Sequence, residues 1–163
     1  MILQYFKKKE NKEQIIAAKQ YKKIISESNI FLNENNFFKE TNYKTSFEIV
    51  SIFLIMFIRR NLLEFNRNLY LKVNDELISL FISDLDESLR AKGIGDISIG
   101  KYVKSYVKKF YFRLKKFPDD NNLYKNESFM EYLKITDLIK NEDYVKVSRK
   151  FNHKFAEFIN SSN

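Results

Sequence analysis

Apolar and polar positions alternate along this chain with the period of helices, not of strands. Ile15, Ile16, Ala18, Tyr21, Ile24 and Ile25 form one apolar stripe, which predicts a helix over 11–28. The Asn-rich stretch that follows has little periodicity. Its Phe31, Leu32, Phe37 and Phe38 predict an ordered connection packed on the domain. A second helix is predicted from Thr45 or Ser46, where Thr45–x–x–Glu48 matches a capping box. It continues as FEIVSIFLIMFIRR, and from Ile49 to Ile58 only Ser51 is polar. A helix apolar on every side lies in a core or in a membrane. About ten residues reach roughly 15 Å, half of what a bilayer core needs, so a central core helix is expected. Arg59 and Arg60 close it, where cations suit the C-terminal dipole.

A third helix is predicted over 67–91. One row holds Tyr70, Val73, Leu77, Leu80 and Phe81, and another Leu71, Ile78, Ile82, Leu85 and Leu89. Two rows place this helix near the middle as well. Asp84 falls on the first row, where a carboxylate needs a cation or backbone donors. Arg59, Arg60 and Lys101 are its candidate partners, while Asp86 and Glu87 point elsewhere.

A fourth helix, over 98–117, separates two faces. Val103, Tyr106, Phe110 and Leu114 share one side, flanked by Val107 and Phe117. Lys101, Lys104, Lys108 and Lys115 share the other, widened by Lys109, Arg113 and Lys116, and no acid falls between Lys101 and Phe117. Pro118, Asp119 and Asp120 stop it. Helices over 126–139 and 142–160 complete the pattern, with no repeat and no linker between domains. The expectation is an all-α, single compact bundle of about six helices with two central apolar helices. A basic flexible tail would occupy 1–9 and one helical domain 10–163.

Composition agrees. The 163 residues are 44% hydrophobic and 31% charged, a globular balance, and one proline with three glycines is too few for an ordinary β-sandwich or barrel. The net charge of +8 points to an acidic partner such as nucleic acid, ribosome or anionic lipid. Over-use of Lys, Asn, Ile, Phe and Tyr together also fits an AT-rich coding bias, so where the lysines fall tells more than their total. The absence of cysteine excludes disulfides, thiol catalysis and Cys-based metal sites. The N-terminal MILQYFKKKENK is apolar then basic, the reverse of a secretory signal, which predicts the cytoplasmic side.

Little suggests chemistry. The one histidine, His153, sits among lysines between Phe151 and Phe155 and reads as a surface or packing residue. Asp84 and Glu87 share a face, but no second acidic cluster with histidine completes a metal site. No cofactor is expected. All three glycines lie between Gly93 and Gly100, in GIGDISIGK. This segment fails both GxxxxGK[ST] and GxGxxG. Its simpler reading is a helix connection, with Gly93 as a left-handed C-cap and Asp96 or Ser98 capping the next helix.

The run FISDLDESLRAKGIGDISIGKYVKSYVKKFYFRL resembles the signature of the ubiquinol–cytochrome c chaperone family. The acidic pair and Leu-Arg fall on Asp84, Asp86, Leu89 and Arg90. The turn falls on Gly93, Gly95 and Asp96, and the basic helix with its aromatic pair on Lys101, Lys104, Phe110, Tyr111 and Arg113. The upstream apolar helix ending at Arg59 also resembles the family's. The resemblance covers 46–117 well and fades beyond 120.

The resemblance implies an all-α domain without catalytic activity. It also implies binding of newly made cytochrome b in biogenesis of the bc1 complex, peripheral to the inner membrane. In mitochondria the family's member works with a small partner protein near the ribosomal exit tunnel; for this chain the ribosome, the inner-membrane surface and a small helical partner protein are candidate contacts, and DNA is not. Lys101, Lys104, Lys108 and Arg113 are the candidate binding residues, and Asp84 with an arginine is expected to hold the fold in register. The alternative is a basic helical module that binds ribosome, RNA or anionic membrane with no bc1-specific role.

Overall fold

The computed structural model describes residues 11–119, 127–140 and 143–160. The tail expected over 1–9 lies outside them. The described residues form six helices: α1 Lys12–Glu34, α2 Tyr43–Leu62, α3 Arg67–Ala91, α4 Asp96–Lys116, α5 Glu127–Thr136 and α6 Tyr144–Asn160. The all-α expectation holds; among the described residues the β-type pairing is one isolated bridge, Phe38 with Ile139.

Helix α2 is the axis. From Ser51 to Ile58 every residue is buried, as its unbroken apolar run requires. Helices α1, α3, α4 and α6 cover it. Aromatic rings bridge these contacts. Phe31 of α1 meets Phe53 at 5.5 Å and Phe151 of α6 at 4.6 Å, and Phe57 meets Phe158 at 4.7 Å. On the other side Phe47 faces Phe81 of α3 at 6.0 Å and Tyr106 of α4 at 4.9 Å. Helix α3 starts and stops where its pattern predicts. It buries Val73, Leu77, Phe81, Leu85 and Leu89 while Leu71 is exposed, so its second row lies partly at the surface.

Several boundaries differ from expectation. Helix α1 continues to Glu34 because Phe31 and Leu32 extend its buried stripe beyond Ile24 and Ser28. The ordered connection is therefore shorter, and it is pinned. The Lys39 N–H donates to the Leu138 carbonyl at 2.8 Å and the Lys140 N–H to the Phe37 carbonyl at 2.9 Å. Helix α2 starts at Tyr43 under an Asn42 cap, whose side chain accepts from the Thr45 N–H at 3.1 Å. Thr45–x–x–Glu48 is thus not a capping box, and Glu48 lies inside the helix. Neither Asp96 nor Ser98 caps α4: Gly95 is the cap residue, and Ser98 instead donates from Oγ to the Gly95 carbonyl at 3.3 Å. Gly93 does take the left-handed conformation expected of it, with φ +87, which a residue with a Cβ rarely adopts.

Glu48 explains how α4 is fixed. Its side chain has no solvent exposure. Arg113 grips it with two hydrogen bonds, Nε to Oε2 at 2.9 Å and a terminal nitrogen to Oε1 at 2.8 Å, and Lys109 Nζ adds a contact at 2.7 Å. Arg113 also donates to the Ile135 carbonyl at 3.3 Å, tying in the end of α5. Burial alone would pull the Arg113 pKa down. The hydrogen bond and charge of Glu48 outweigh it and hold the guanidinium above its ordinary value. A desolvated carboxylate tolerates this position only with such donors.

Replacing Arg113 by Met leaves Glu48 buried with Lys109 alone. We expect a loss of about 3 kcal/mol in urea unfolding. Lys104→Met, on the solvent side of the same helix, should shift stability by less than about 0.5 kcal/mol. Equal effects of the two substitutions would contradict this assignment.

Candidate binding face

Helix α4 divides as its sequence pattern implies, with one exception. Ile99 and Phe110 are buried, with Val103, Tyr106, Val107 and Leu114 partly so. Phe110 packs on Phe81 at 5.0 Å. Lys101, Lys104 and Lys108 are exposed, and Lys115 and Lys116 extend the row toward the C-terminus. Among the described residues none of the first three forms an ion pair. Tyr111 and Phe112 stand half-exposed beside the lysines, and Tyr111 leans on Phe110 with rings 5.7 Å apart. The result is a cationic surface interleaved with aromatic rings.

Arg113 is the exception. Its residue is only 5% exposed, and its guanidinium is spent on Glu48. It does not belong to the exposed face; it is the anchor on the opposite side. Lys109, read as widening the row, also turns inward to Glu48 and lies over the Phe47 ring at 5.1 Å.

The acidic signature residues separate. Asp84 is exposed and meets no cation among the described residues: the Tyr21 hydroxyl of α1 donates to it at 2.7 Å. Arg59, Arg60 and Lys101 are thus not its partners. The reason is geometric, because Asp84 sits at the edge where α3 meets α1 rather than under the apolar row. Burial, followed by the hydrogen bond and charge of Asp84, raises the Tyr21 phenol pKa well above its ordinary value. Beside Asp84 a shallow cleft of about 110 Å³ opens between α2 and α3, walled by Tyr43, Phe47, Phe81 and Leu85.

Asp86 and Asp96 both hold Arg90, which straddles the turn from α3 to α4. Gly93 and Gly95 lie inside that clasp. Arg59 closes the far end of α4. It donates to the Phe117 carbonyl at 3.0 Å, to the Pro118 carbonyl, and to Asp119 at 3.0 Å, with its guanidinium 4.9 Å from the Phe117 ring centre. Both ends of the basic helix are therefore tied by signature residues. His153 is exposed and lies 3.2 Å from Glu157. Among the described residues no group of three or more His, Cys, Asp or Glu could hold a metal, and no described helix is long and apolar enough to cross a membrane.

Sequence reading missed Glu48, Lys109 and Tyr21 as partners. A signal existed for Glu48: it directly precedes the apolar run 49–58 within the same helix, where every face of that run is destined for the core. Lys109 and Arg113, four apart, then supply two cations on one face. Tyr21 gave no such signal, since a tyrosine on an apolar stripe reads as packing.

The solved structure of the Cbp3 homolog from Brucella abortus matches this fold with a TM-score of 0.69. The match covers 100% of this chain and 91% of that one at 20% identity, and so speaks to fold alone. No curated protein matches the chain. Residues 39–119 match the family model described as ubiquinol-cytochrome C chaperone. That span runs from the pinned connection through α2, α3 and α4 to the Asp119 held by Arg59, and by it the chain belongs to the ubiquinol-cytochrome C chaperone family.

Proposed function

We propose that this protein is a non-enzymatic assembly chaperone that holds newly made cytochrome b during biogenesis of the ubiquinol–cytochrome c reductase (bc1) complex. The observation that carries the reading is the family match over 39–119, which coincides with the three helices that build the basic face and the aromatic cleft. The client is a very apolar chain appearing at a membrane. The cleft between α2 and α3 offers aromatic contacts for an apolar segment. Lys101, Lys104 and Lys108 keep the chaperone near phosphate, in ribosomal RNA or in lipid headgroups of the inner membrane surface.

Deletion of the gene, read through the reduced-minus-oxidised spectrum of membranes, tests the client. The reading expects loss of the cytochrome b absorbance of the bc1 complex and recovery of cytochrome b with tagged protein. Normal cytochrome b levels in the deletion strain would overturn it, leaving a basic module that binds phosphate-bearing surfaces without a bc1 role. The unpaired lysine row favours that second reading as the fallback. Changing Lys101, Lys104 and Lys108 together to Glu should leave the melting temperature nearly unchanged. It should weaken salt-sensitive ribosome binding by at least about 100-fold, since losing three lysines at about 1 kcal/mol each near an anionic surface already gives that and the new carboxylates add repulsion. Undiminished binding would remove the face from the mechanism.

A further inference from the structure

The turn between α2 and α3 presents a second surface. It runs from Leu62 to Asn66 and exposes three large apolar side chains: Leu62 at 39%, Leu63 at 60% and Phe65 fully. This exposure is built, not slack. The Leu63 N–H donates to the Arg60 carbonyl at 3.0 Å, the Glu64 N–H to the Asn61 carbonyl at 3.2 Å, and Asn66 caps α3 through the Leu69 N–H at 3.2 Å. Behind the turn, Asn61 is wholly buried and bonded to Gln20 and to Asn74, the latter at 2.7 Å. Asn74 in turn donates to the Ile58 carbonyl at 3.2 Å. A buried polar network thus holds the turn while its apolar side chains face water. Contiguous exposed apolar groups of this kind mark an interaction site.

The charges nearest the turn are mainly cationic, with the acids Asp75 and Glu76 three and four residues beyond Lys72 on α3. The turn's own acid, Glu64, is paired with Arg60 at 3.3 Å, and Asp119 at the same end is paired with Arg59 at 3.0 Å. Arg59 also brings the C-terminal turn of α4 to this end by holding the Phe117 carbonyl. Arg67 and Lys72 on α3, and Lys115 and Lys116 on α4, are exposed and form no ion pair among the described residues. An apolar tip beside uncompensated cations has the chemistry of an interfacial membrane contact.

The geometry points to this end of the bundle as a docking tip for an anionic lipid bilayer. Leu62, Leu63 and Phe65 enter the boundary between headgroups and acyl chains. Arg67, Lys72, Lys115 and Lys116 meet the lipid phosphates. RNA fits less well, because two aliphatic leucines gain nothing from base stacking. The contact is peripheral, as no described helix crosses a membrane. The inference does not rest on cytochrome b being the client, and its test does not use that protein.

The chain has no tryptophan, so Phe65→Trp makes a unique reporter. Full-length protein is titrated with phosphatidylcholine vesicles containing phosphatidylglycerol. The expected result is a blue-shifted Trp emission quenched by brominated acyl chains. Leu63→Ser with Phe65→Ser should weaken sedimentation with these vesicles about 10-fold or more while far-UV dichroism and melting stay unchanged. Lys44→Glu should leave the quenching of the Trp reporter in place, because that exposed residue lies at the other end of α2 from the turn. An emission that ignores vesicles overturns the proposal. So does vesicle binding that the double serine variant retains in full, or a blue shift obtained only with ribosomes or with a protein partner.

Discussion

The buried carboxylate of Glu48 is the constraint on which the arrangement depends. A charge without solvent must be met by donors, and α4 supplies them through Arg113 and Lys109. That requirement sets the rotation of α4 about its own axis. Lys104 is nine residues from Arg113, about two and a half turns away, and so faces the opposite direction. Lys101 and Lys108 follow it to the solvent. The exposed cationic row and the buried anchor are two sides of one decision. Arg90 and Arg59 then clasp the two ends, so that position as well as rotation is fixed.

Much of this was legible beforehand. The all-α class, the central burial of 49–58 and both ends of α3 followed from periodicity, because a wholly apolar helix has nowhere else to go. Gly93 as a left-handed cap followed from the scarcity of glycine. The failures were those of long-range pairing. Arg113 looked like another member of a basic row, since nothing local separates it from Lys104; Glu48, sixty-five residues away, makes the difference. The apolar row around Asp84 predicts an arginine partner, whereas the fold gives it a tyrosine at the surface. Glu48 itself was absorbed into a local capping signal that Asn42 fulfils instead. The resemblance to the chaperone family located the signature residues but not their division of labour. Arg59, Asp86, Arg90 and Asp96 serve the turn and the helix end, while Lys101 and Lys104 remain free for contact.

Two surfaces emerge, carried by different elements. The lysine row with Tyr111 and Phe112 runs along α4. The apolar turn Leu62–Asn66 lies at the end where α4 finishes. The function proposed above would use both, with a cationic side toward phosphate, an apolar tip toward lipid and the aromatic cleft between α2 and α3 for the client. Helix α4 divides its cations accordingly: Arg113 and Lys109 are spent on orientation, and Lys101, Lys104 and Lys108 form no ion pair among the described residues.

The most direct measurement is lysine acetylation footprinting by mass spectrometry, on the free chain and on the chain bound to membranes that are making cytochrome b. The free protein should label readily at Lys101, Lys104 and Lys108 and weakly at Lys109, which Glu48 holds. Binding should protect the first three and leave Lys109 as it was. If Lys101, Lys104 and Lys108 stay fully reactive in the bound state, or Lys109 labels as fast as they do, then α4 is neither oriented nor used in this way.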